Sequence, residues 1–257
     1  MKKKLKILCI GNSFSVDTTK RAPEIAPALG ITLTIGNLFV PGCPIDRHYE
    51  HIVIDTPAYN YYYNNGGEWM QTPDYKISDA IRSDDWDYIS IQHGSSGGRS
   101  YIRPECYAHF PALVQAVKAL APAHTKIVFN ITWPADPSHH HRDLRTHTGS
   151  QLSLMNNIIR ITQELVTPTP NFHGTIPTGI AIQNARTAGL GSMTRDGYHL
   201  SKDLGRYLAA LTFLCAISGI CPTELIPDPN FPEQPVLIRA AQLAIERPNV
   251  VTVMTQE

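Results

Sequence analysis

Short runs rich in apolar and β-branched residues recur along this chain and alternate with segments whose apolar residues keep helical spacing. The runs are a short apolar one at 4–10 (KLKILCI), one rich in β-branched residues at 32–40 (TLTIGNLFV), and those at 86–92 (WDYISIQ), 125–132 (TKIVFNIT) and 175–181 (TIPTGIA). That pattern predicts strands buried on both faces, as in a parallel sheet. Phe110, Leu113, Val114, Val117 and Leu120 predict a helix over 105–121, and Leu152, Met155, Ile159, Thr162 and Leu165 predict another over 151–166. Helices are also expected over 21–29, 77–82, 204–218 and 235–246. Strands alternating with helices predict an α/β protein, a three-layer α/β/α sandwich with a central five-stranded parallel sheet of flavodoxin-like type. Aromatic-rich arms around Asn64-Asn65-Gly66-Gly67 predict a β-hairpin insertion near 59–71. No repeat, long linker or composition break divides the 257 residues, so a single domain over 1–257 is expected. Its C-terminal extension, 221–257, is entered through a proline-rich connector.

Composition removes several classes of function. Lys plus Arg number 22 and Asp plus Glu 22, so net charge is zero, and charged residues are only 17% of the chain. A generic nucleic-acid binder displaces counterions with a basic surface, so no nucleic-acid partner is expected. The longest apolar stretch, 207–220, is shorter than the roughly 18–20 residues of a membrane span. The start, MKKKLKILCIGNSFS, has too short an apolar run for a signal peptide and no small-residue cleavage site. Cys9, Cys43, Cys106, Cys215 and Cys221 are odd in number, lack a C-x-x-C and fall partly in apolar segments, which suits reduced packing thiols. A cytoplasmic location follows, with export through a lost signal peptide as the alternative. Oligomeric state has no signature here.

In open α/β sheets, ligands bind beyond the carboxyl ends of the strands. Those ends read Gly11-Asn12-Ser13-Phe14-Ser15, Pro41-Gly42-Cys43, Gln92-His93-Gly94-Ser95-Ser96 and Thr132-Trp133-Pro134. Far downstream stands Arg195-Asp196-Gly197-Tyr198-His199. Asp196 and His199 are three apart, so both side chains can project from one turn. A carboxylate beside an imidazole fixes its tautomer and stabilises the imidazolium. The other ring nitrogen can then take a proton from a hydroxyl, and Ser13, at a buried strand's end, supplies one. Taken singly, Asp-x-x-His also suits a helix cap and Gly-Asn-Ser an ordinary turn.

Together, GNSFS near the start and RDGxHLS near the end resemble the SGNH (GDSL-type) hydrolase superfamily, over about residues 5–220. The resemblance implies a serine nucleophile at Ser13, a catalytic triad completed by Asp196 and His199, and an oxyanion hole from the Ser13 and Gly42 N–H groups. The third block departs from the family's Gly-x-Asn-Asp. Gln92 replaces one amide donor by another, whereas strict register would put Ser96 there. Ser15 stands where the Gly-x-Ser-x-Gly elbow of α/β-hydrolases has glycine. The function implied is a serine esterase, without cofactor, removing a small acyl group from a small-molecule or glycan ester, with acetyl on a carbohydrate favoured. A lipase or thioesterase of the same fold is one alternative; a non-catalytic glycan-binding protein on a degenerate esterase fold is another. No phosphate-binding G-x-x-x-x-G-K-[ST] loop is present.

Asn12, Ser96, Trp133, Gln183 and Arg186 are candidate substrate-binding residues, with Asn184 beside the last two in AIQNAR. Arg195 either buttresses Asp196 or binds an anion. His139, His140, His141 and His147 lack the spacing that converges on one ion, so no metal site is expected. Tyr59, Tyr61, Tyr62, Tyr63 and Trp69 suit hairpin packing, or a sugar-stacking wall.

Overall fold

The computed structural model describes residues 3–94, 102–137, 139, 150–222 and 231–254. The chain divides into two compact units. The first comprises Met1–Val16, Gly30–Asn130 and Arg160–Thr175, and the second Asp17–Leu29, Ile131–Ile159 and Ile176–Glu257.

The first unit is built on the sheet. Its strands are β1 (Lys3–Gly11), β2 (Ile31–Phe39), β3 (Tyr59–Asn64), β4 (Met70–Tyr75), β5 (Tyr88–Gln92), β6 (Lys126–Asn130) and β7 (Phe172–Ile176), in the order β4-β3-β2-β1-β5-β6-β7. Strand β1 pairs in parallel with β2 and β5, and β5 with β6, which is the flavodoxin-like order expected. The sheet has seven strands instead of five, because the Tyr59–Tyr75 hairpin does not stand apart. Strand β3 adds antiparallel to β2, from Ile35 opposite Asn64 to Phe39 opposite Asn60. This pairing satisfies the N–H and C=O groups that β2 would otherwise present as an open edge. Among the described residues of this unit, helices Ile45–Val53, Ile77–Arg82 and Phe110–Leu120 pack on one another, the second also against β1 and β2.

The second unit is helical. Helices Thr178–Thr187, Leu204–Ser218 and Gln234–Glu246 pack on one another, and Ala22–Ile25 packs on Leu204–Ser218. That last-named helix buries 12 of its 15 residues, which explains an apolar string with no amphipathic period. Gly219, with φ 71°, ends it in the left-handed conformation only glycine adopts without strain. No described helix is long and apolar enough to cross a membrane.

The expected strand over 175–181 is corrected. Strand β7 ends at Ile176, and Thr178–Thr187 is a helix. Residues 178–185 are all buried, so neither period 2 nor period 3.6 shows in their hydropathy. Gly179 lets this helix come in close: its N–H donates to Ile131 O at 2.7 Å, and a Cβ there would lie 2.1 Å from Thr132 O.

Candidate active site

In the first unit, the ends of β1, β2 and β5 meet around Asn12. This side chain is 2% exposed. Its Oδ1 accepts from the Phe14 N–H at 3.0 Å and from Gln92 Nε2 at 2.7 Å, and its Nδ2 donates to Cys43 O at 3.1 Å. One buried amide thus ties together the three expected loops. Gly42 has φ 57°, the left-handed conformation that lets the chain turn sharply after β2. Gly11 is required for space: a Cβ would lie 2.7 Å from Ser15 Oγ. Ser13 is half-buried at the start of a helix, Ser13–Thr19. Ser15 is buried, its hydroxyl lying 2.9 Å from Asn12 O and 2.8 Å from Asn37 Oδ1. Of the two serines, Ser13 alone retains exposure.

Gln92 is 1% exposed and spends its amide nitrogen on Asn12. Gln92 thus stands at the Asn12 turn, where the oxyanion hole is expected. Ser96, the alternative, lies outside the described residues. Behind the Gly42 turn sits a buried cluster. His48 Nδ1 is 2.7 Å from Tyr59 Oη and 3.5 Å from Cys43 Sγ, and His51 Nδ1 is 3.2 Å from the same Tyr59 Oη. Burial lowers the His48 pKa to about 3 and pushes the Cys43 thiol up to about 12, so both are neutral.

In the second unit, Asp196 and His199 come together as their spacing predicts. His199 Nδ1 is 2.7 Å from Asp196 Oδ2. Asp196 Oδ1 also accepts from the N–H groups of His199 at 2.7 Å and Tyr198 at 3.0 Å. Partial burial pushes this carboxyl up, but the His199 N–H, the His199 side chain and the Tyr198 N–H outweigh it and hold the pKa at about 2.

Two buried carboxylates, neither anticipated from sequence, hold this turn in place. Asp17 is 1% exposed. Its Oδ2 accepts from the Leu200 N–H at 2.9 Å, and its Oδ1 lies 3.1 Å from Arg195 Nη1 and 2.7 Å from Arg206 Nη2. Arg195 also donates to Leu200 O, so it buttresses the turn through Asp17 and does not pair with Asp196. Asp136 donates its N–H to Gly197 O at 2.7 Å and accepts from Thr194 Oγ1. Arg186 holds that segment, donating to Pro134 O at 3.1 Å and Ser192 O at 2.9 Å, with Nη2 3.8 Å from Asp136 Oδ1. Gln183 accepts from Arg186 at 3.3 Å. Asn184 clamps the C-terminal segment, donating to Ala240 O and accepting from the Thr252 N–H.

Trp133, a candidate substrate-binding residue, is fully buried, with its ring N–H donating to Tyr198 O at 2.9 Å. It supports the Asp196–His199 turn from behind. His139 stacks on Tyr198 at 5.6 Å, whereas His140, His141 and His147 lie outside the described residues. Among the described residues no group of His, Cys, Asp and Glu is arranged to hold a metal. Tyr59 and Tyr61 are buried, with Tyr61 stacked on Tyr75 at 4.6 Å, so these rings pack the hairpin. The clue to Asp17 was its place in an otherwise uncharged helix, where an acidic residue facing inward demands a cationic partner.

The fold is that of the SGNH (GDSL-type) hydrolases. An acetyl xylan esterase from Geobacillus stearothermophilus is similar with a TM-score of 0.51 and 16% identity, over 89% of this chain and 100% of its own. A lipolytic G-D-S-L family member from Veillonella parvula is similar with a TM-score of 0.51 and 13% identity, over 82% and 96%. Within that fold, the chain belongs to the DUF4886 family, a domain of unknown function, whose model matches residues 6–247. The crystal structure of a DUF4886 family protein from Bacteroides uniformis has a TM-score of 0.90 and 32% identity, covering 98% of both chains. No curated protein matches the sequence.

Proposed function

We propose that this protein is a serine esterase acting through an acyl-enzyme on Ser13, with His199 as general base and Asp196 as its orienting carboxylate. The observation that carries the reading is the Asp196–His199 pair. A carboxylate anchored by two backbone N–H groups holds Nδ1 at 2.7 Å, which leaves Nε2 as the nitrogen that exchanges a proton. In the proposed reaction His199 takes the Ser13 proton as Oγ attacks the ester carbonyl. The backbone N–H groups of Ser13 and Gly42 bind the oxyanion. The intermediate collapses, and the alcohol leaves with the proton from His199. Water, deprotonated by the same ring, then releases the acid. Gln92, whose amide carries two N–H groups and gives one to Asn12, is the third proposed donor to the oxyanion. No cofactor enters this chemistry.

The substrate we favour is a small acyl group, such as acetyl, on a carbohydrate. The acetyl xylan esterase of similar fold supports that choice. Two measurements test the reading. Turnover of p-nitrophenyl acetate is expected to fall by about 10⁴-fold or more in Ser13→Ala. A fluorophosphonate probe is expected to label Ser13 and to fail in His199→Ala. Undiminished turnover in Ser13→Ala would sink the proposal. Absent labelling with retained glycan binding would point to a non-catalytic glycan-binding protein.

A further inference from the structure

A groove of about 860 Å³ opens beside Gly42 in the first unit, a volume typical of small-ligand clefts. Its floor is one face of helix Ile45–Val53. Asp46, Tyr49, Glu50 and Val53 follow the i, i+3, i+4, i+7 spacing and line it, while Ile45 and His48 are buried on the other side. His109 faces Tyr49 with ring centroids 5.2 Å apart and planes 13° from parallel. Arg47 completes the polar lining, and Arg47 and Glu50 are exposed.

The geometry points to this groove as the subsite for the alcohol part of the ester, an uncharged polyhydroxylated ring of the sugar class. This rests on the esterase reading above, since Gly42 at the groove's end is the proposed oxyanion donor. Pro41, Pro44, Val53 and Ile54 also line the groove, but an alkyl chain filling it would cover Asp46, Arg47 and Glu50 as well without giving hydrogen bonds back. An anionic ligand would meet two carboxylates against one guanidinium. Sugar hydroxyls can donate to the carboxylates and accept from Arg47, and the C–H face of a ring can lie along the Tyr49–His109 wall. The acyl group must then be accommodated elsewhere, which fits a small one.

The test compares p-nitrophenyl acetate with acetylated mono- and oligosaccharides of xylose, glucose, galactose and N-acetylglucosamine. Tyr49→Ala and the exposed Glu50→Gln are each expected to raise KM for the best sugar ester about tenfold more than for p-nitrophenyl acetate, as losing a charge-assisted hydrogen bond or a stacking face implies. Equal effects on both substrates overturn the groove and leave the esterase standing. So does a preference for p-nitrophenyl esters of long acyl chains that Tyr49→Ala abolishes. If no ester is turned over, the esterase reading fails, and calorimetric titration with the unacetylated oligosaccharides judges the groove alone. Binding lost in Tyr49→Ala upholds it, and no binding by the wild type overturns it.

Discussion

Ser13 and Ser15 stand two positions apart in one GNSFS string and meet different surroundings. Ser13 is half-buried, while the Ser15 hydroxyl is committed to Asn12 O and Asn37 Oδ1. Ser15→Ala removes the hydroxyl that donates to the buried Asn37 Oδ1, while Asn12 O keeps the Ser15 and Val16 N–H groups; it is expected to cost about 1–3 kcal/mol of stability, read from a denaturation midpoint, while fluorophosphonate labelling persists. Ser13→Ala should show the reverse pattern. Asp196→Asn removes the acceptor that orders the imidazole, so kcat is expected to fall by about 10⁴-fold with little change in KM. At this scale the sequence was legible where spacing alone decides, as in the three-residue step from Asp196 to His199. It was not legible for the hydrogen-bond partner of Gln92. Which way a buried amide points depends on the neighbours it finds, and Gln92 finds Asn12.

Elements carry the next set of constraints. The segment Thr194–Leu200 is a loop closed by a bridge between its ends, and such a loop holds a catalytic geometry only if its backbone is fixed from outside. Asp17 does this by accepting from the Leu200 N–H and from two arginines. Asp17→Asn keeps the shape and loses the charge, leaving Arg195 and Arg206 without their carboxylate. We expect a loss of about 2–3 kcal/mol, discounted from a fully buried pair because Arg195 is partly solvated. A lower kcat should accompany it at nearly constant KM. Gly179→Ala places a methyl against Thr132 O and is expected to destabilise by about 3 kcal/mol, measured by thermal or urea unfolding. Pattern alone predicts a strand across the start of the helix that Gly179 opens. A segment buried on every side has lost the polar face that reports its period.

The response to acid belongs to the molecule as a whole. His48, fully buried beside Cys43 and Tyr59, has a folded pKa of about 3 against an ordinary 6.5. Between those values the unfolded chain binds the proton and the folded one does not, so stability falls as pH drops below about 6.5. Asp196 acts lower. Its pKa is held near 2 from an ordinary 3.8, so its stabilisation is present above about pH 4 and is lost as pH falls toward 2. Melting temperature followed from pH 7 to pH 2 should decline in both windows. His48→Gln should flatten the upper one and Asp196→Asn the lower, and unaltered slopes would contradict the assignment. By itself the sequence determined the α/β class and the SGNH resemblance. These follow from hydropathy period and from residues close enough in the chain to read as one string. Only the tertiary structure decided that the hairpin extends the sheet, that Thr178–Thr187 is a helix, and that Asp17, Asp136, Arg186 and Trp133 support the turn bearing Asp196 and His199. Those facts depend on which buried polar groups meet across long sequence separations. Each must find a partner on desolvation, and local pattern does not encode which one.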